Sequence, residues 1–91
     1  MDRQRLQARL IERFEIDPDV ARIVAREAAD LADRGVYAAD FDEPLRVEIV
    51  ITNLADAPEG STLVERWNWW LGALELSHGE YQRFRVRPDV V

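Results

Sequence analysis

Residues 45–53 read Leu-Arg-Val-Glu-Ile-Val-Ile-Thr-Asn. In an extended chain Val47, Ile49 and Ile51 face one way, and Arg46, Glu48, Val50 and Thr52 the other. β-Branched side chains fit a pleated, half-buried surface, so this alternation predicts a β-strand. The next structured stretch, residues 62–78, reads differently. On a helical wheel Leu63, Val64, Trp67, Trp70, Leu71, Leu74 and His78 fall within about 120° of arc, and Glu65, Asn68, Gly72 and Glu75 gather opposite. Thr62 and Glu65 have capping-box spacing, and Gly79 sits where a helix stops. The competing reading, a hairpin turning at His78-Gly79, uses the aromatics but not that arc, so the prediction is a helix. Residues 80–87 then alternate again. Phe84 and Val86 point to a core, Tyr81, Arg83, Arg85 and Arg87 point away, and Pro88 closes a second strand.

Upstream, Leu6, Leu10, Ile11 and Phe14 recur at helical spacing and predict a helix over 2–15. Asp17-Pro18 opens a second, with Asp as N-cap and Pro at the first helical position. Val20, Ile23, Val24, Ala28 and Leu31 mark its apolar stripe, and Arg34-Gly35 ends it. A connection of about two residues makes the pair an antiparallel hairpin. Residues 36–44 and 54–61 read as loops. The expected fold is therefore α+β in the order α-α-β-α-β: one domain over 1–91, with a helical hairpin at 2–34 and a β-α-β unit at 45–87. Two strands make a marginal sheet, so either residues 36–38 add a short strand or a second copy completes it.

The chain has 91 residues, a length suited to one domain with a small core. It contains no Cys, which removes disulfide scaffolds, thiolate metal sites and Cys nucleophiles. The charged start Met1-Asp2-Arg3-Gln4-Arg5 precedes no apolar run, so no signal peptide is expected. No stretch approaches the ~20 apolar residues that span a bilayer, so neither is a membrane partner. The expected compartment is the cytoplasm. Twelve basic residues face eighteen acidic ones, for a net charge of -6; residues 27–91, with six Arg against thirteen acids, carry the whole excess, and residues 1–26 are slightly basic. Phosphate binding requires a net basic face, so nucleic acid is not an expected partner.

All twelve basic residues are Arg; Lys is absent, while Ala, Asp, Glu and Val are abundant. Over its whole length this composition resembles the small acidic proteins of salt-in halophilic archaea, whose surfaces are carboxylate-rich and lysine-poor. The resemblance implies a cytoplasm of high salt and carries no motif.

Phosphate-cradling glycine loops, HExxH, GxSxG and zinc-finger spacings are missing, and Ser61, Thr62 and Ser77 have no base placed near them in sequence. His78, the single histidine, with Glu75 and Glu80 is the nearest thing to an acid–base or metal cluster. A last-turn histidine favoured by the helix C-terminus accounts for it better. Asp40, Asp42 and Glu43 lack the pattern of a calcium loop and read as a solvated run. Asp17 and Asp19 belong to a helix start, and residues 89–91 read as a frayed end rather than a docking peptide.

Three features remain. Arg83, Arg85 and Arg87 share one strand face, an anion-binding stripe whose plainer explanation is pairing with Glu48 across the strands or with other acids. Arg5, Arg9 and Arg13 line a helix face. Trp67 and Trp70 lie on the apolar arc, whereas Trp69, near Leu76, lies about 240° from Leu63 and off it. A large aromatic off the core stripe fits an interface, since Trp is enriched in binding hot spots. It equally fits burial against the first two helices. The expected function is a non-enzymatic, cofactor-free protein-interaction domain that forms a homodimer through Trp69 and Leu76. The alternative is a small-ligand or anion-binding regulatory domain using the arginine face.

Overall fold

In the computed structural model, which describes residues 1–88, the chain is built from helices. The order is α1 (Arg3–Phe14), α2 (Pro18–Asp33), α3 (Val36–Phe41), α4 (Val47–Ala55) and α5 (Leu63–His78), followed by a 3-10 turn at Gln82–Phe84. Residues 89–91, including the expected frayed end, lie outside the described residues.

The α+β expectation is overturned: among the described residues there is no β-strand. The predicted strand at 45–53 is occupied by α4. The same apolar residues that alternate also satisfy helical spacing, because Val47, Val50, Ile51 and Leu54 stand at i, i+3, i+4 and i+7 and all four are buried. Four buried positions on one helical stripe outweigh a β preference that reflects packing context more than backbone. The predicted strand at 80–87 is a strap instead, a 3-10 turn entered through Tyr81 in a helical conformation and left through extended Arg85, with no ladder. Without two strands there is no β-α-β unit, and no sheet edge for a second copy to complete. The expected loop at 36–44 contains α3. Gly35 at φ 73 supplies the left-handed turn that ends α2 and begins it.

The other helices lie close to where periodicity and capping place them. Asp2 caps α1 by accepting from Arg5 N at 3.0 Å, and Asp17 caps α2 by accepting from Asp19 N at 2.8 Å, with Pro18 in the first turn. Thr62 and Glu65 form a reciprocal capping box at the start of α5. Each of the four longer helices packs on two others, α1 on α2 and α4, α5 on α2 and α4, so that they close a ring around the core. Leu6 and Leu10 enter it from α1, an alanine-rich face with Val24 and Leu31 from α2, and Trp67, Trp70, Leu71 and Leu74 from α5. The strap adds Tyr81, Phe84 and Val86. No described polar or charged residue is buried. No described helix is long and apolar enough to cross a membrane.

Candidate functional site

The tryptophans of α5 divide between core and surface. Trp67 is fully enclosed and Trp70 nearly so, their rings edge-to-face at 5.8 Å, with Tyr37 of α3 6.2 Å from Trp70. Trp69 is 43% exposed and Leu76 is 91% exposed. Seven residues separate them, two helical turns or about 10.5 Å, so both lie on one face. Exposed Ala73 lies between them, and the space where a Gly72 Cβ would stand is empty to 4 Å. Residues 67–74 carry no charge at all. The result is an apolar helix face with large ends and a small middle, partly uncovered by the described residues. A second apolar surface that strand geometry would have supplied, around Val50 and Tyr81, does not exist, because both side chains are buried in the core.

The adjoining side of the same helix, about 100° round at Asn68 and Glu75, holds the strap. Trp67 Nε1 donates to the Phe84 carbonyl at 2.9 Å. Asn68 Nδ2 donates to the Val86 carbonyl at 2.7 Å, and its Oδ1 accepts from Val86 N–H at 2.9 Å. Glu75 Oε1 accepts from the N–H groups of Tyr81 at 2.8 Å and Gln82 at 3.0 Å, and Oε2 from that of Glu80 at 3.2 Å. The strap's backbone groups thus find partners on α5, which is why it needs no ladder. Tyr81 OH donates to Asp40 at 2.8 Å. Desolvation first, then that hydrogen bond, pushes the Tyr81 phenol far above its ordinary range.

Two residues of the acid–base reading, Glu75 and His78, make contacts within the fold. Glu75 is spent on the strap, and His78 Nδ1 lies 2.8 Å from Ser77 Oγ while its ring rests 4.6 Å from that of Phe41. Ser77 Oγ is also within reach of the Ala73 and Leu74 carbonyls, the position of a hydroxyl bonded to its own helix. Asp40 serves Tyr81, and Glu43 pairs with Arg46 at 3.0 Å. Among the described residues no three His, Asp or Glu side chains converge as a metal site would require.

The arginine stripe is redistributed. With no strand there, Arg83 lies 5.1 Å over the Phe84 ring, and Arg85 reaches Gln82. Arg85 and Arg87 border one shallow cleft with Arg26 and Glu27, while Arg83 borders another with Glu75, Glu80 and Gln82. The expected partner of the stripe, Glu48, is taken by α1. Arg5 reaches it at 3.3 Å and Arg9 at 3.2 Å, and the Arg9 hydrogen bonds, with the charge of both arginines, hold its carboxyl below the usual range. Arg13 instead lies 5.2 Å over Phe14.

Sequence reasoning passes over Asn68 and Arg66, and weighs Glu75 only as a companion of His78. Arg66 donates to the Leu54 carbonyl at 3.0 Å and the Ser61 carbonyl at 3.3 Å, finishing α4, and covers Phe14 from 5.2 Å. Their partners are main-chain atoms, which leave no trace in residue types. The one available signal was an amide, Asn68, set between tryptophans.

A ring of helices with a partly uncovered aromatic face defines a small all-helical domain. The chain belongs to the WNWW domain family, whose pattern matches residues 1–75. Residues 67–70 of this chain spell those four letters. No curated protein matches the chain, and no solved structure does.

Proposed function

We propose that the chain is a non-catalytic protein-interaction domain of a salt-rich cytoplasm, and that it forms a homodimer through the exposed face of α5. One observation carries the reading: Trp69 and Leu76 stand uncovered at either end of a face whose middle is Gly72 and Ala73. Glycine inside a helix costs roughly 1 kcal/mol relative to alanine, and none of the described residues fills the space that Gly72 leaves. A helix approaching from outside does need it. The face is also self-complementary. A two-fold axis between Gly72 and Ala73 sets Trp69 of each copy against Leu76 of the other, and two-fold pairs are the commonest soluble oligomers. The lysine-free, acid-rich composition supports the high-salt setting.

Sedimentation at molar salt tests this, with the parent chain, Trp69→Ala and Leu76→Ser compared at high micromolar concentration. The expected result is a parent dimer that both substitutions dissociate. A monomeric parent overturns the proposal; a dimer indifferent to both substitutions moves the contact off α5.

A further inference from the structure

The strap, residues 79–88, is held in the way a bound peptide is held. Its main chain is read by side chains of the helical body: Trp67 takes the Phe84 carbonyl, and Asn68 takes both the N–H and the carbonyl of Val86. The Asn68 amide does for Val86 what a neighbouring strand would do, the same main-chain logic by which sheet edges capture extended peptides. Tyr81, Phe84 and Val86 supply the buried side chains, packed on α2 and α5. Arg83, Arg85 and Arg87 remain on the exposed side.

What directs the strap onto its own body is separate from what holds it there. The reversal after α5 depends on two successive left-handed residues, Gly79 at φ 82 and Glu80 at φ 69. Only glycine adopts the first without strain, and the second is uncommon for any residue with a side chain. The family's pattern, moreover, ends at residue 75. Trp67, Asn68, Glu75 and the whole of α2 fall inside it, and the strap falls outside.

We infer that the α2–α5 groove is a peptide-binding site whose resident ligand is this chain's own strap, and that its occupant in trans is the strap of a second copy. A second copy carries the one segment that reproduces every contact without redesign, which makes exchange of an identical element a low-cost route between protomers. The groove residues Asn68 and Glu75 lie about 100° round α5 from Trp69 and Leu76, so exchange is told apart from the dimer face proposed above by removing that face in the test.

The test separates the turn from the groove. Gly79→Val leaves every groove contact in place but puts a β-branched residue at φ 82, so the strap is driven off its own body. It is made in a Leu76→Ser background, which removes the α5 face as a route to association. The expected result is a doubled mass by sedimentation. In an equimolar mixture of carbon-13-labelled and unlabelled chains, nuclear Overhauser contacts should run between Trp67 of one copy and Phe84 of another. A monomer overturns the inference, whether its strap stays docked in cis or is cut by trypsin after Arg83. If the variant loses its helical circular dichroism, the parent chain decides. Incubated with excess labelled peptide Gly-Glu-Tyr-Gln-Arg-Phe-Arg-Val-Arg-Pro (79–88) near its melting temperature and cooled, it should show the same Trp67–Phe84 contacts in trans. Their absence refutes the groove as a trans site.

Discussion

A primary amide set against a peptide unit satisfies donor and acceptor together, and Asn68 does so with both groups of Val86. Asn68→Leu keeps the volume and strands those two backbone groups, for an expected cost of about 1–3 kcal/mol in urea unfolding. Trp67→Phe removes the single donor to Phe84 and belongs in the same range, whereas Trp67→Ala adds a cavity and should cost about 3–5 kcal/mol. Tyr81 makes a pH prediction. Its folded-state pKa is raised, so its contribution to stability is complete below the ordinary tyrosine value of about 10 and is lost as pH climbs above it. Unfolding free energies measured between pH 9 and 11 should fall, and fall less in Tyr81→Phe; equal slopes would sink that assignment. Alternation put Phe84 and Val86 inside and Arg83, Arg85 and Arg87 outside, as they are, although no strand carries them. It also put Tyr81 outside. The 3-10 turn at Gln82–Phe84 follows it, and three residues per turn bring Tyr81 and Phe84 to the same buried side.

Helix α5 was legible because three independent signals agree there: an apolar arc, a capping box and a terminating glycine. Helix α4 was not, because nine residues are too few for period 2 and period 3.6 to separate when most of them are apolar. What decides α4 is the pair of helices it packs on, α1 and α5, and that information is not local. Its N-terminus offers no sequence mark either, since Arg46 makes no side-chain cap bond. The helical register of α5 predicts that Leu71→Ala, at a fully enclosed position, costs on the order of 2–5 kcal/mol. Glu75 is polar but not idle, because its carboxylate gathers three strap N–H groups. Glu75→Ala should therefore loosen the strap, seen as faster amide exchange at residues 80–82, while leaving the four-helix ring intact. Gly72→Ala separates folding from association. An alanine there meets nothing within 4 Å in the chain and should stabilise the monomer by up to about 1 kcal/mol, while blocking the close approach that the dimer uses. A higher melting temperature with weaker sedimentation association is the expected pair of results. Stronger association would remove Gly72 from the interface.

Across the whole molecule, net charge sets how the fold and its pairing respond to salt. The six ion pairs among the described residues all involve substantially exposed groups, from Arg5–Glu48 to Arg46–Glu43, and such pairs contribute little. Against them stands an excess of six negative charges on a body only 31 × 24 × 22 Å. At 0.1 M salt the screening length, about 10 Å, leaves much of that repulsion acting across the molecule; at 1 M it shrinks to about 3 Å. Salt weakens the favourable pairs as well, but they have little to lose, so the repulsive term decides the sign. Pairing two copies brings like net charges together across an uncharged face, and it should gain from salt for the same reason, aided by an apolar contact that screening does not touch. The expected outcome is a melting temperature that rises steadily from 0.1 to 1 M potassium chloride. The dimer dissociation constant should fall over the same range. A flat or falling melting curve would show that the carboxylate excess is not straining the fold and would withdraw the high-salt setting. A rising curve with unchanged association would keep that setting and move the self-contact away from the α5 face.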